Sequence, residues 1–463
     1  MDRQEKTNRG SFKGSFGFIM AAAGSAVGLG NIWRFPYLAA KDGGGLFLLV
    51  YLLLAVTFGF ALLTTEIAIG RKTRKSPLKA YAALHKKSGW IGVVACLVPL
   101  IVAPYYCVIG GWVLKYMTAF VSGGGAAAAE EGYFGAFVAA PWEPLIYLLV
   151  FLALCAAVVL DKGIERFSKI LMPALVALIF GIAVYALMLR KKADPEQVRT
   201  GLEGLRVFVV PDFRGLTLSG LFRTVVDAMT QLFFSLSIAM GIMVTYGSYV
   251  PDETNLVHSV GIIEIFDALI AFLAGVMIIP AVYVFMGPDG MTKGPSLMFE
   301  SLPRIFAGMG GVGDAVGAVF FAMVLFAALT SGISIMEAVV SSLMDQFRWS
   351  RKKAALVEAA VALAVGVAVS FGYNLLYFDV MLPNGDHAQI LDILDYLSNN
   401  LMMPVIALAT CILIGWIVKP ETVTEEMTKN GTKFSRRALY IFMIRFLAPA
   451  MVVIILLTSF GVI

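Results

Sequence analysis

Residues 24–37 read GSAVGLGNIWRFPY, in the middle of an apolar block that runs from about 14 to 40. A plain membrane helix is not built this way. Gly24, Gly28 and Gly30 weaken a helix, Asn31 puts an amide at mid-depth, and Arg34 and Pro36 follow it. Gly24 and Gly28 alone fit the small-residue spacing of helix–helix contact, and for the glycines alone that reading is favoured. Such contact asks for neither an asparagine nor an arginine. The alternative is a discontinuous helix, whose loosened carbonyls can bind a cation while the N–H groups of its second half face an anion. Residues 231–241 offer a matching break, with Gln231, Phe234, Ser235, Leu236 and Ser237 followed by Gly241. Two interrupted helices at corresponding positions of two halves point to a binding site near the bilayer midplane.

The rest of the chain supports a membrane setting. Of 463 residues, 59% are hydrophobic and 14% charged, and the mean hydropathy is +0.84. A soluble chain has roughly 45–50% apolar and about 25% charged residues. The excess falls in blocks of about 20 residues or more, the length that spans hydrocarbon, without the alternation of barrel strands. We read about eleven transmembrane helices, near 14–40, 44–70, 89–121, 143–160, 167–189, 221–249, 258–286, 315–345, 354–372, 388–418 and 438–461. The chain is therefore expected to be an all-α, multi-pass protein of the cell membrane with the lipid bilayer as its surroundings. The first block lacks a signal-peptide cleavage pattern, so the N-terminus is expected to stay as a tail.

Loop charge sets the expected orientation. Lys and Arg crowd the tail, the loop at 71–87 and the loops after the fourth, eighth and tenth spans, whereas 122–142 and 373–387 contain none. This places the N-terminus in the cytoplasm and the C-terminus outside. The loop 190–214, with Arg190, Lys191, Lys192, Arg199, Arg206 and Arg214, dissents. Cys96, Cys107, Cys155 and Cys411 lie in or beside apolar runs and read as core residues. His85, His258 and His387 are scattered, which argues against a metal cluster, and the net charge of +5 needs no nucleic acid to explain it.

Five spans per half invert the second half relative to the first, the arithmetic of an inverted repeat. The expected organisation is one membrane transport domain, with repeats at approximately 12–190 and 221–418 and an additional helix at 438–461.

Several motifs in the right order resemble the neurotransmitter:sodium symporter family, in particular its bacterial amino-acid-transporting branch with the leucine-transporter fold. They are GSAVGLGNIWRFPY (24–37) with GGG at 43–45, KGIERFSK (162–169), QLFFSLS (231–237) and LTSGIS (329–334). The likeness runs from about Arg9 to the end of the chain. It implies two sodium sites and no organic cofactor. The first would use the Ala26 carbonyl, Asn31, Ser235, Asp267 and the substrate carboxylate. The second would use the carbonyls of Gly24, Val27 and Ala327 with the hydroxyls of Thr330 and Ser331. An isolated Thr or Ser more often bonds its own helix backbone.

The resemblance further implies that Leu29 and Gly30 N–H groups and the Tyr106 hydroxyl receive the substrate carboxylate. Val102, Phe234, Met240 and Ile335, with Ser237 and Ser331 nearby, would line the side-chain end. Arg34 with Asp395 would close the outside beneath a Phe234 lid, and Arg9 with Asp345 the inside. An arginine at that depth needs a partner or water. Gly28 stands where monoamine carriers of the family have an aspartate, which leaves room for a substrate carrying its own carboxylate. Asp267 and buried Glu66 supply negative charge, and Ala271 replaces a chloride-holding serine, so chloride independence is expected. Phe12 and Glu337 depart from the leucine carrier's inner gate.

The implied function is sodium-coupled symport of a neutral, hydrophobic α-amino acid by alternating access, and not enzymatic. An ion channel would show repeated filters or charged rings, and a membrane enzyme a paired catalytic constellation; the sequence has neither. A sensor of the same fold that binds without net transport stays open.

Overall fold

The computed structural model describes residues 11–161, 163–194, 197–213, 216–288, 290–291 and 296–462. Its first span is two helices, α1 (Ser15–Ala26) and α2 (Gly30–Lys41), bent 54° at the break. Nine unbroken apolar helices follow, interrupted by shorter pieces: α3 (Gly45–Thr73), α4 (Lys86–Val121), α5 (Glu143–Leu160), α6 (Ile164–Met188), α10 (Leu256–Met286), α11 (Gly310–Phe347), α12 (Arg351–Phe371), α13 (Ile390–Ile417) and α14 (Arg437–Ser459). Between α6 and α10 come α7 (Gly201–Val209), then α8 (Leu218–Ser235) and α9 (Ile242–Tyr249), which fall within the expected sixth span and are separated by the turn 236–241. Counting the bent pair as one, up to ten helices among the described residues are long and apolar enough to cross a membrane. Two small antiparallel pairs decorate the connections: β1 (Arg190–Asp194) with β2 (Gln197–Thr200), and β3 (Val380–Met381) with β4 (His387–Ala388).

Both breaks lie in the interior. α1 is buried over nearly its whole length and packs against α6, α10 and α11, so it is not a lipid-facing helix. α4 runs along α11 as the central pair of the surrounding helices. Glycine makes one contact exceptionally close. A Cβ on Gly70 of α3 would come within 2.1 Å of the Val244 carbonyl, and one on Gly247 of α9 within 2.3 Å of the Ile67 carbonyl. α3 and α9 therefore meet backbone to backbone.

Local signals explain several starts. Thr200 and Glu203 form a reciprocal capping box for α7, Asn255 accepts from the His258 N–H at the head of α10, and Ser350 from the Lys353 N–H at the head of α12; each satisfies an orphan donor of a first turn. His258 thus sits inside a helix and not in a connection.

The cytoplasm-directed ends expected from the charge pattern are tied by ion pairs. Buried Arg71 meets Glu426 at 2.5 Å and donates to the Thr254 carbonyl at 2.7 Å. Asp252 receives Arg74 and, at 2.9 Å, Lys429.

Candidate functional site

The break in the first span leaves Val27 at φ −85°, ψ 86°, outside helical space, and the outer half restarts at Leu29–Gly30. The first N–H groups of a helix have no partner within it, so this end of α2 is an electropositive backbone surface in the protein interior. The break in the sixth span is more strained. Ser237 and Ala239 have φ of 51° and 62°, a region that costs a side-chain-bearing residue roughly 1–2 kcal/mol. The Ala239 N–H donates to Glu66 Oε1 at 2.6 Å, which holds the unwound turn against α3.

The two breaks are stitched together through Ser25. Its carbonyl accepts from Ser237 Oγ at 3.0 Å and Ser331 Oγ at 3.2 Å, and its hydroxyl donates to Ser237 Oγ at 3.1 Å. Gln231 Nε2 donates to the Gly30 carbonyl at 3.3 Å. Sequence-predicted Ser237 and Ser331 thus meet at the first break.

Asp267 is the centre of the first candidate cation site. It accepts from Asn31 Nδ2 at 3.0 Å, from Ser235 Oγ at 2.5 Å and from the Tyr51 hydroxyl at 2.8 Å. The three predicted residues Asn31, Ser235 and Asp267 come together from three spans. Tyr51 was not foreseen, although a phenol within an apolar run needs a hydrogen-bond partner. With its amide nitrogen committed to Asp267, Asn31 leaves Oδ1 buried without a partner. An orphan acceptor of this kind costs about 1–3 kcal/mol, and it is the atom a hard cation seeks. Ala26, the last residue of α1, is fully buried, and its carbonyl accepts from the Gly28 N–H at 3.1 Å.

For the second set, a Cβ on Gly24 would lie 3.3 Å from Thr330 Cβ, so the inner end of the first break does face α11. Thr330 Oγ1 donates to the Ala327 carbonyl at 3.0 Å and the Phe326 carbonyl at 3.1 Å. Its proton is spent within its own helix, leaving oxygen lone pairs to face outward. Val27 and Ala327 are buried.

Above these residues a cavity of about 530 Å³ opens. Leu29, Tyr106 and Phe234 form its floor; Arg34, Asp395 and Asp392 stand on its walls. The Tyr106 hydroxyl faces Ser331 and the Leu29 backbone without meeting hydrogen-bond geometry with either. A Cβ on Gly28 would lie 2.9 Å from Ser331 Oγ and 3.7 Å from that hydroxyl, and one on Gly30 would strike the Phe234 ring at 2.3 Å. Val102, Met240 and Ile335 are buried and do not line the cavity.

Arg34 and Asp395 share the vestibule, yet no ion pair within 4.0 Å joins them among the described residues; Asp395 instead accepts from Asn399 Nδ2 at 2.6 Å. The opposite end carries an aromatic cluster. Phe12 packs on Phe18, Tyr246 and Tyr249 with ring centroids 5.7–6.1 Å apart. Arg9 lies outside the described residues; Asp345 accepts from the Ser76 N–H at 2.7 Å and its carbonyl from Lys79. Glu337, flagged in the sequence as a departure, pairs with Arg351 and accepts from the Tyr249 hydroxyl at 2.7 Å. Arg351 was read only as a loop cation; its guanidinium reaches inward and also donates to the Val159 carbonyl at 2.7 Å.

The family model described as "Sodium:neurotransmitter symporter family" matches residues 9–123 and 134–463. The chain belongs to that family. This symporter is 34% identical to the uncharacterized sodium-dependent transporter YhdH of Bacillus subtilis over 460 residues, with 96% of each chain covered. It is 26% identical to the sodium-dependent dopamine transporter of Bos taurus, covering 78% of the symporter and 57% of the relative. In structure it is similar to MhsT crystallised in complex with L-phenylalanine, with a TM-score of 0.84, 33% identity, and coverage of 98% and 100% of the two chains. The symporter is a sodium-dependent multi-pass membrane protein, of a family of transporters and not of enzymes.

Proposed function

We propose that the symporter imports a neutral, hydrophobic α-amino acid with sodium by alternating access, with an outward-open arrangement in the present structure. The observation that carries this reading is the orphan Asn31 Oδ1, on an amide whose Nδ2 donates to Asp267, close in the chain to the free backbone end at Leu29–Gly30. A cation held by Asn31, Asp267, Ser235 and the Ala26 carbonyl would sit within reach of a substrate carboxylate on the Leu29 and Gly30 N–H groups and Tyr106. Cation and substrate then share one set of contacts, and each raises the affinity for the other by the same factor. A second sodium would use the Gly24, Val27 and Ala327 carbonyls with Thr330 and Ser331.

Gly28 supports an amino acid over a monoamine, because a side chain there would reach Ser331 and Tyr106 and occupy the carboxylate's place. The complex of MhsT with L-phenylalanine favours the same substrate class. Buried Val102, Met240 and Ile335 suit an apolar side chain once the Phe234 lid and the Arg34–Asp395 pair close. Arg9 with Asp345 would guard the inner side. The repeats are taken as 12–190 and 221–418, with 438–461 additional, the N-terminus in the cytoplasm and the C-terminus outside.

Uptake of the twenty radiolabelled amino acids into proteoliposomes, with and without a sodium gradient, tests the proposal. Sodium-driven accumulation of apolar amino acids is expected, unchanged when gluconate replaces chloride. Binding without accumulation would turn the reading toward a sensor, and a clear loss in gluconate would remove the role given to Asp267 and Glu66.

A further inference from the structure

The loop that breaks the charge pattern has no part in the transport site. Between 190 and 214 it carries six Lys or Arg and four Asp or Glu, so net charge is modest and position decides. Arg190, Lys191 and Lys192 follow α6 immediately, and all three are exposed. The outward face of α6 ends in Phe180, Val184 and Met188, the last 73% exposed; in an apolar span such residues face lipid. The basic triplet therefore stands where hydrocarbon gives way to headgroups. Lys191 Nζ lies over the Phe285 ring at 4.8 Å, which holds it at the end of α10. Of the acidic residues, Glu203 is committed to the capping box of α7.

α7 continues this surface. Its inner face has no slack: a Cβ on Gly201 would come within 2.2 Å of the Ala186 carbonyl, one on Gly204 within 2.6 Å of Pro280 Cα, and Phe208 is buried against Phe35 and Phe272. Its outer face, and the chain after it, show Leu202 at 61%, Phe213 at 60% and Leu218 at 85% exposure, with Arg206 exposed among them. Water is a poor neighbour for so much contiguous apolar surface. A helix flat against the bundle, apolar outward and interleaved with cations, matches an interfacial element. Next to it a trough of about 770 Å³ runs between Arg206, Val207, Val210 and Phe213 on one wall and Gly43 and Gly44 on the other.

We propose that Lys191, Lys192, Arg206 and the outer face of α7 bind anionic phospholipid headgroups in the leaflet on which the vestibule opens. Cations beside a membrane surface attract acidic lipid, each worth roughly fivefold in affinity. The surface is continuous with the lipid-facing side of α6, and its charge complements such a lipid. This bound lipid would touch the moving part of the carrier, because α7 presses on the turn after α2: a Cβ on Gly44 would strike the Val207 carbonyl at 2.0 Å and one on Gly45 the Val209 carbonyl at 2.2 Å.

The test needs no transport measurement. The full chain is released from phosphatidylcholine nanodiscs containing phosphatidylglycerol, and retained lipid is read by native mass spectrometry. The triple variant K191Q/K192Q/R206Q is expected to hold phosphatidylglycerol roughly a hundredfold more weakly than the wild type, what loss of three interfacial cations at about fivefold each implies. K352Q/K353Q, two exposed cations on the opposite face, serves as control and is expected to bind normally. A nitroxide on Leu218→Cys should be relaxed by oxygen more than by a water-soluble nickel chelate. Equal retention in both variants, freer access of the chelate to the nitroxide, or a dimer that covers the α7 face would each overturn the proposal.

Discussion

Asn31 shows how much one side chain decides. Its amide donates to Asp267 and leaves a bare oxygen in the protein interior, so Asn31→Ala removes the proposed ligand oxygen together with a donor to Asp267. The sodium concentration for half-maximal uptake is expected to rise about five- to hundredfold, the equivalent of a charge-assisted contact of about 1–3 kcal/mol; unchanged sodium dependence in uptake assays would take Asn31 out of the site. Tyr51→Phe removes one of three donors to Asp267 and is expected to raise the same value more mildly with transport retained. Gly28→Asp brings a carboxylate against Ser331 and Tyr106, and amino-acid binding should fall to background by scintillation proximity while the protein stays folded. Of these residues, Asn31 is legible as an amide in an apolar run, whereas Asp267 comes only from what the family resemblance implies. Tyr51 is not legible, because nothing in FLLVYLLL separates a phenol that bonds a carboxylate from one that packs.

Among the elements, the unwound turn 236–241 is the most dependent on outside support. Two side-chain-bearing residues hold positive φ there, and the Ala239 N–H has Glu66 as its partner. Glu66→Ala leaves that donor unsatisfied and should destabilise the protein by about 1–3 kcal/mol, seen as a lower midpoint in a thermal-shift scan. Glu66→Gln keeps an acceptor and should recover most of the loss. At the end of α2, Asp42 lies beyond the span; burial, then the neighbouring Asp227, push its carboxyl up to about 7. A carboxyl raised in the folded state binds protons there that the unfolded chain has released. Its contribution therefore weakens as pH climbs from about 4, the ordinary value, to about 7 and is lost above. Asp42→Asn should flatten the slope of melting temperature against pH in that window. The breaks themselves were legible from Gly24–Asn31 and from Ser235–Gly241, since glycine and polar groups cluster where a membrane helix least tolerates them. Glu66 as the acceptor was not, for its partner is 173 residues away and only the fold brings them together.

At the scale of the whole molecule, the vestibule stands at one end, and Phe12 with the Glu337–Arg351–Tyr249 group stands at the other. Arg351→Ala leaves buried Glu337 without its cation, a loss of about 3–5 kcal/mol when one member of a buried pair is removed. If the pair helps to close that end in the proposed transport cycle, the variant should populate the inward-open form. Faster labelling of a Tyr246→Cys probe by a thiol reagent applied from the Phe12 side would report it, and equal labelling rates would count against it. The pair's position explains why it escaped the sequence reading. Arg351 opens a helix next to Lys352 and Lys353 and looks like one more interfacial cation. The all-helical, multi-pass character, by contrast, follows from block length, which the bilayer dictates.

Glycines 70 and 247 carry a mechanical consequence. Cylinders that touch main chain to main chain are welded, with no side-chain layer to act as a bearing. If the proposed alternating access tilts α9, α3 would be dragged along. The rocking piece would then be a block with α3 inside it, and a bulky residue at either glycine would jam the assembly in the membrane before any cargo arrived.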